Sequence, residues 1–200
     1  MKINPVIVCF SLSLLSSTLY AAPVVYFDFD GDGLQDTSYN TTLGESINAS
    51  LYVTNVDDLQ GGLLGWGAEF NFDSTVLAVN AYAIDNTWQI PGVNNGFDNT
   101  TGNMELLASN IFSGQTGTIK LVDITFDTLS EGSSALLLSE LFPASINFTG
   151  FGAANGFDYD ADIVFSDANA TINVSAVPLP APLLLLASGL ISLSRFKRRK

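Results

Sequence analysis

The chain has 200 residues, of which twenty are acidic and seven basic, with no histidine, one cysteine and a formal net charge of −13 at pH 7. All of the acidic residues lie between Asp28 and Asp167, where Lys120 is the only base, so this part of the chain repels phosphate backbones and anionic lipid, and nucleic acid is excluded as a partner. Lack of histidine also excludes the usual nucleophile–histidine triads and histidine-bearing metal centres.

Lys2, an apolar run over residues 6–15 and the sequence Leu19-Tyr20-Ala21 predict a secretory signal peptide over residues 1–21. The cut is placed after Ala21 because Pro23 would stand badly just past a bond cut one residue later. Cys9 lies in the apolar core of that leader, so the exported part carries no thiol and no disulfide. Residues 22–176 then make one domain.

Residues 24–29 open the domain as a predicted strand. The segment that follows it carries the sharpest local motif, Asp28-Phe29-Asp30-Gly31-Asp32-Gly33-Leu34-Gln35-Asp36. Counting Asp28 as position one, carboxylates stand at one, three, five and nine, a glycine at six, and Leu34 at seven, where a backbone carbonyl is used. That is the order of an EF-hand-type calcium loop: hard oxygen ligands converge on the cation and the glycine permits the sharp turn. Position twelve is Tyr39 instead of glutamate, so the last ligand has to come from elsewhere, with Glu45 the nearest donor. The same residues also suit a plain Asp/Gly turn between strands. The expected site is Asp28, Asp30, Asp32, Leu34 and Asp36, with calcium as the ion.

Residues 46–55 alternate Ile47, Ala49, Leu51 and Val53 with polar neighbours, the period of a half-buried strand. Residues 66–72 and 76–84 follow as strands, with Trp66 reading as core. Residues 85–102 are rich in Asn, Gly and Thr and lack a period, so they are predicted as a long exposed loop. Trp88 in that loop is the candidate carbohydrate platform; the alternative is that it caps the core. Strands are predicted again at 104–109 and at 118–129, where the apolar phase slips and implies a bulge. Residues 133–141 are predicted helical, and 145–149, 160–165 and 170–174 as strands. Asp158, Asp160 and Asp162 would share one face of the second of these and form a second acidic cluster. The sum is an all-β chain: a single antiparallel β-sandwich.

Two resemblances refine this reading. Asn55-Val56-Asp57-Asp58-Leu59, the pair Gly61 and Gly62, Glu69-Phe70-Asn71-Phe72-Asp73, Val76-Leu77 and the strand over 118–126 resemble a cohesin-like domain. That resemblance implies a nine-stranded jelly-roll sandwich serving adhesion or carbohydrate-associated binding. At the other end, Val177, Pro178, Leu179 and Pro180 precede an apolar run, and the chain closes on Arg195, Lys197, Arg198, Arg199 and Lys200. The uncharged stretch over residues 177–194 is long enough for a short transmembrane helix with its basic end in the cytoplasm. The whole of residues 177–200 resembles the PEP-CTERM sorting signals in their Val-Pro-Leu-Pro-Ala variant. That resemblance implies recognition by an exosortase-type membrane protease, export to the envelope or matrix of an exopolysaccharide-producing bacterium, and a membrane anchor before processing.

Three functions fit these residues. The leading one is a non-catalytic cell-surface or matrix protein that binds or structures exopolysaccharide. The second is a structural or adhesive module that binds surface proteins. The third is a glycoside hydrolase built on a carboxylate pair such as Glu69 and Glu105.

Overall fold

The computed structural model describes residues 21–141, 150–178 and 186. Eleven strands form among them: β1 Val24–Asp28, β2 Ser38–Thr42, β3 Ser46–Val56, β4 Leu63–Asn71, β5 Leu77–Ile84, β6 Ile90–Asp98, β7 Asn103–Ser109, β8 Gly117–Thr128, β9 Gly132–Glu140, β10 Gly152–Ala153 and β11 Ala170–Ser175. One four-residue 3-10 turn, Phe165–Ala168, precedes β11.

The strands make two sheets, one in the order β1-β3-β8-β5, the other β2-β11-β9-β4-β7-β6 with β10 added on β4. Alternation decides which side of each strand turns inward. In β7, Met104, Leu106 and Ala108 are buried while Asn103, Glu105, Leu107 and Ser109 are not. The inward rows of both sheets share one core. Phe27 on β1 meets Phe70 on β4 with ring centroids 6.3 Å apart, and Phe126 on β8 meets Phe72, just past β4, edge-on at 5.6 Å. Burying such rings contributes roughly 1.5–3 kcal/mol each, the main term holding the layers together.

Pairing is antiparallel except between β2 and β11, which run parallel, so the expectation of purely antiparallel sheets is corrected at that edge. The slip of phase expected in the long strand is a bulge: Leu51 pairs with Val122 and Tyr52 with Lys120, leaving Leu121 between them. Leu121 and Val122 are both buried as a result.

Three further expectations are corrected. Residues 133–141 are not helical but form β9, in which Ser134, Leu136 and Leu138 face inward and Ala135 and Leu137 outward. A short apolar run carries no decisive period, and β4 and β11 offer it a hydrogen-bonding partner on each side. Residues 85–102 are not one exposed loop, because β6 pairs along β7 there, with a register shift between Val93 and Gly96. Residues 160–165 form turns, so Asp158, Asp160 and Asp162 do not line one strand face. The predicted strand at 145–149, the leader over residues 1–20, and Leu179 and Pro180 lie outside the described residues; Val177 and Pro178 are described and exposed. Among the described residues, no helix is long and apolar enough to cross a membrane.

Candidate metal centre

β1 ends on Asp28, whose side chain is buried on the side opposite Phe27. Both of its carboxylate oxygens are used by the loop that follows: Gly31 donates its N–H to Oδ1 at 2.7 Å and Gly33 to Oδ2 at 3.0 Å. Donation from two amides in so short a loop requires left-handed backbone at Gly31 (φ +79°) and Gly33 (φ +81°), which glycine adopts without a Cβ clash. Two more side-chain turns continue the winding, Asp30 Oδ1 accepting from Asp32 N at 3.1 Å and Asp32 Oδ1 from Leu34 N at 2.8 Å. The far end returns to β1. Asp36 N donates to the Phe27 carbonyl at 2.8 Å, and Asp36 Oδ2 accepts from Phe29 N at 2.8 Å. Tyr26 donates its hydroxyl to Gly33 O at 3.0 Å, and Gln35 ties the loop to Asp167 O at 2.7 Å.

This winding brings one oxygen from each of Asp28, Asp30 and Asp36 within 4.8 Å of one another. Calcium–oxygen bonds of about 2.3–2.6 Å place two ligands of one ion at most about 5 Å apart, so the three carboxylates fit a hard cation. Asp32 is not in that group; its Oδ1 accepts from the Leu34 amide. Glu45 does not complete it either: its Oε2 accepts from the Thr41 hydroxyl at 2.8 Å and Thr42 N at 3.1 Å, bonds that hold its carboxyl below the usual range. The remaining ligands of a six- to eight-coordinate ion would be carbonyls or water.

The second acidic cluster takes a form the sequence did not show. Asp160 gives one oxygen to Phe151 N at 2.7 Å and its own N–H to Asp158 Oδ1 at 2.9 Å. Glu140, at the end of β9, faces it, a partner concealed by the helical reading of that segment. Burial, with the charges of Glu140 and Asp158 added, pushes the Asp160 carboxyl up to about 7 against the pull of the Phe151 amide. Burial raises Glu140 as well, followed by the Asp158 charge. A carboxyl whose folded pKa is raised holds its proton more tightly in the folded state, so stability falls as pH rises from about 4 to about 7. Asp160→Asn keeps the acceptor for Phe151 and removes that fall; urea midpoints are expected to show the variant ahead above pH 7, by about 1–2 kcal/mol once solvent screening is allowed for, and level with the parent at pH 4.

Trp88 is not an exposed platform. It is 3 % exposed, donates Nε1–H to the Lys120 carbonyl at 3.1 Å, and meets Trp66 edge-on with ring centroids 6.4 Å apart. A turn from Asp85 to Trp88 N folds the ring inward, and it caps the core. Tyr82 and Phe97 form an edge-to-face pair at 6.3 Å that joins β5 to β6, one sheet edge to the other. Glu69 and Glu105 are directly paired across β4 and β7 on the face away from the core, and Glu69 Oε1 accepts from Asn103 Nδ2 at 2.6 Å and Asn71 Nδ2 at 3.2 Å.

No family model matches the chain, and no curated protein matches it. Solved structures do share its fold. A non-cellulosomal cohesin from the archaeon Archaeoglobus fulgidus aligns over 78 % of this chain and 92 % of its own at 13 % identity, with a TM-score of 0.54. The cohesin CaCohA2 from Clostridium acetobutylicum aligns over 78 % and 92 % at 13 % identity with a TM-score of 0.56. The cohesin of the Coh-OlpC–Doc435 complex from Clostridium thermocellum aligns over 78 % and 95 % at 11 % identity with a TM-score of 0.55. The fold is therefore that of cohesin modules.

Proposed function

We propose that the chain is an exported, non-catalytic β-sandwich module that binds a protein partner at the cell surface or in the matrix. The likeness to cohesin modules carries this reading, since several of those are solved in complex with dockerins. Burial of Trp88 takes away the aromatic platform on which exopolysaccharide binding rested, and moves the protein partner ahead of the sugar. One end of the larger sheet also offers apolar surface. Phe112 is 90 % exposed and Ile111 and Ile90 are exposed too, the β7–β8 connection being tied to the Gln89 side chain by the Ile111 amide at 2.9 Å. Exposed apolar clusters of this kind mark contact surfaces.

Residues 1–21 and 177–200 serve delivery in this reading: a leader, then a proline motif and anchor handled by an exosortase-type protease. Calcium held by Asp28, Asp30 and Asp36 pins the N-terminal loop to β1. The module works outside the cytoplasm, anchored through residues 177–200 until they are removed.

The test uses cross-linking on intact cells, with mass spectrometry of the linked species, beside affinity electrophoresis through gels containing the purified exopolysaccharide. Cross-links to a surface protein are expected to survive polysaccharide digestion and to be lost in Phe112→Ser with an unchanged melting curve. Retardation by the polysaccharide, without such cross-links, would replace the protein reading by the sugar one. Release of reducing ends, lost in Glu69→Gln or Glu105→Gln, would instead make the chain a glycosidase.

A further inference from the structure

A cavity of about 230 Å³ lies where the chain enters β1, lined among others by Ala22, Asn55, Asp57, Phe157, Tyr159 and Asp162. Its chemistry is one-sided. Two aspartates and an aromatic pair line it, the Phe157 and Tyr159 rings meeting edge-on at 5.3 Å. No basic side chain is among its lining residues.

Tyr159 is 3 % exposed, yet its hydroxyl has no hydrogen-bond partner. A buried hydroxyl left unpaired is costly and calls for a partner. Asp57 stands close enough for its charge to add to the burial that raises the Tyr159 pKa. One Asp57 oxygen accepts from Leu59 N at 3.1 Å, which leaves the other for a ligand. An ammonium group is the ligand that two carboxylates and a phenol oxygen can all accept from at once.

The chain itself brings the candidate to this place. Ala22 lines the cavity, its carbonyl accepts from Asn55 Nδ2 at 3.3 Å, and Pro23 behind it is buried at the start of β1. We infer that this cavity seats the mature N-terminus, the α-ammonium of Ala22 lying between Asp57 and Asp162 and donating to the Tyr159 hydroxyl. The inference rests on the export reading, with the leader cut after Ala21. Hydrolysis there adds water across the Ala21–Ala22 amide, leaving a carboxylate on Ala21 and converting the Ala22 amide nitrogen into an ammonium. The precursor has a neutral amide at that position, so removal of the leader supplies the charge that the cavity accepts, and the mature chain is the more stable form.

The experiment compares melting temperatures of the chain from Ala22 to Lys200 with a free amine, with an acetylated amine, and with two glycines added ahead of Ala22. The free amine is expected to melt about 2–4 °C above the other two at pH 7. Its ordinary pKa of about 7.7–8.0 is raised by the two carboxylates, so the advantage holds in full below that range and is lost as pH rises through the higher folded value. Asp57→Asn together with Asp162→Asn erases the difference while the melt stays cooperative; Asp162→Asn alone reduces it. Equal melting of the free and acetylated forms at pH 7 overturns the inference alone, and so does a difference that survives both substitutions. A first residue other than Ala22, found by N-terminal sequencing of the exported protein, overturns the cut after Ala21 and the inference with it.

Discussion

Millimolar calcium is expected to raise the melting temperature of this protein, and Asp30→Asn combined with Asp36→Asn to abolish the rise while Asp32→Asn leaves it in place. A cation bound only by the folded chain stabilises it by about 2.7 kcal/mol at a hundred times its dissociation constant. For a domain of this length that corresponds to roughly 5–10 °C. The contrast between substitutions follows from the geometry. One oxygen from each of Asp28, Asp30 and Asp36 lies within 4.8 Å of the other two, whereas Asp32 is not in that group. Asp32→Asn keeps an acceptor for the Leu34 amide and removes none of those three carboxylates. Differential scanning calorimetry with calcium and with a chelator checks the point. A rise of equal size in all three proteins would place the ion elsewhere, and no rise in the parent would leave the loop held by its own amide bonds.

Trp88→Ala is expected to destabilise the fold by about 3–5 kcal/mol, the range for removing a buried tryptophan or phenylalanine. Against a total stability of about 5–15 kcal/mol that is a large fraction. Two losses add. The cavity opens beside Trp66, and the Lys120 carbonyl loses its donor. Trp88→Phe separates them, since it refills most of the space and forfeits the hydrogen bond, for about 1 kcal/mol from that bond. Urea denaturation followed by far-ultraviolet circular dichroism measures both. An unchanged midpoint in Trp88→Ala would mean that the indole is not part of the core. This outcome differs in kind from the one an exposed sugar platform would give, which is intact stability with lost binding.

The strands legible in the sequence are those with one wet face. β3, β7 and β8 alternate strictly enough that their bounds fall within a residue or two of the predicted ones, and the phase slip in β8 was readable as a bulge. β6 and β9 were not. β6 carries Pro91, Gly92 and Gly96, residues that signal a loop, and it persists because it is an edge strand that needs hydrogen bonds on one side only. β9 contains three consecutive leucines that suit either period, and its neighbours decide for the strand.

By itself the sequence determined the all-β class, the concentration of carboxylates between Asp28 and Asp167, and the position of an aspartate–glycine loop directly after the first strand. These follow from local terms: side-chain period, turn chemistry and charge count act over a few residues. Which three of the four loop carboxylates converge was decided only in the folded chain, because Asp36 is brought back to Asp28 by its bonds to the Phe27 carbonyl and the Phe29 amide. Tertiary structure also decided that Trp88 is core and that Glu140 faces Asp160, since both contacts join segments far apart along the chain. Burial and the field of a neighbouring charge are properties of the packed molecule, and no window of sequence contains them.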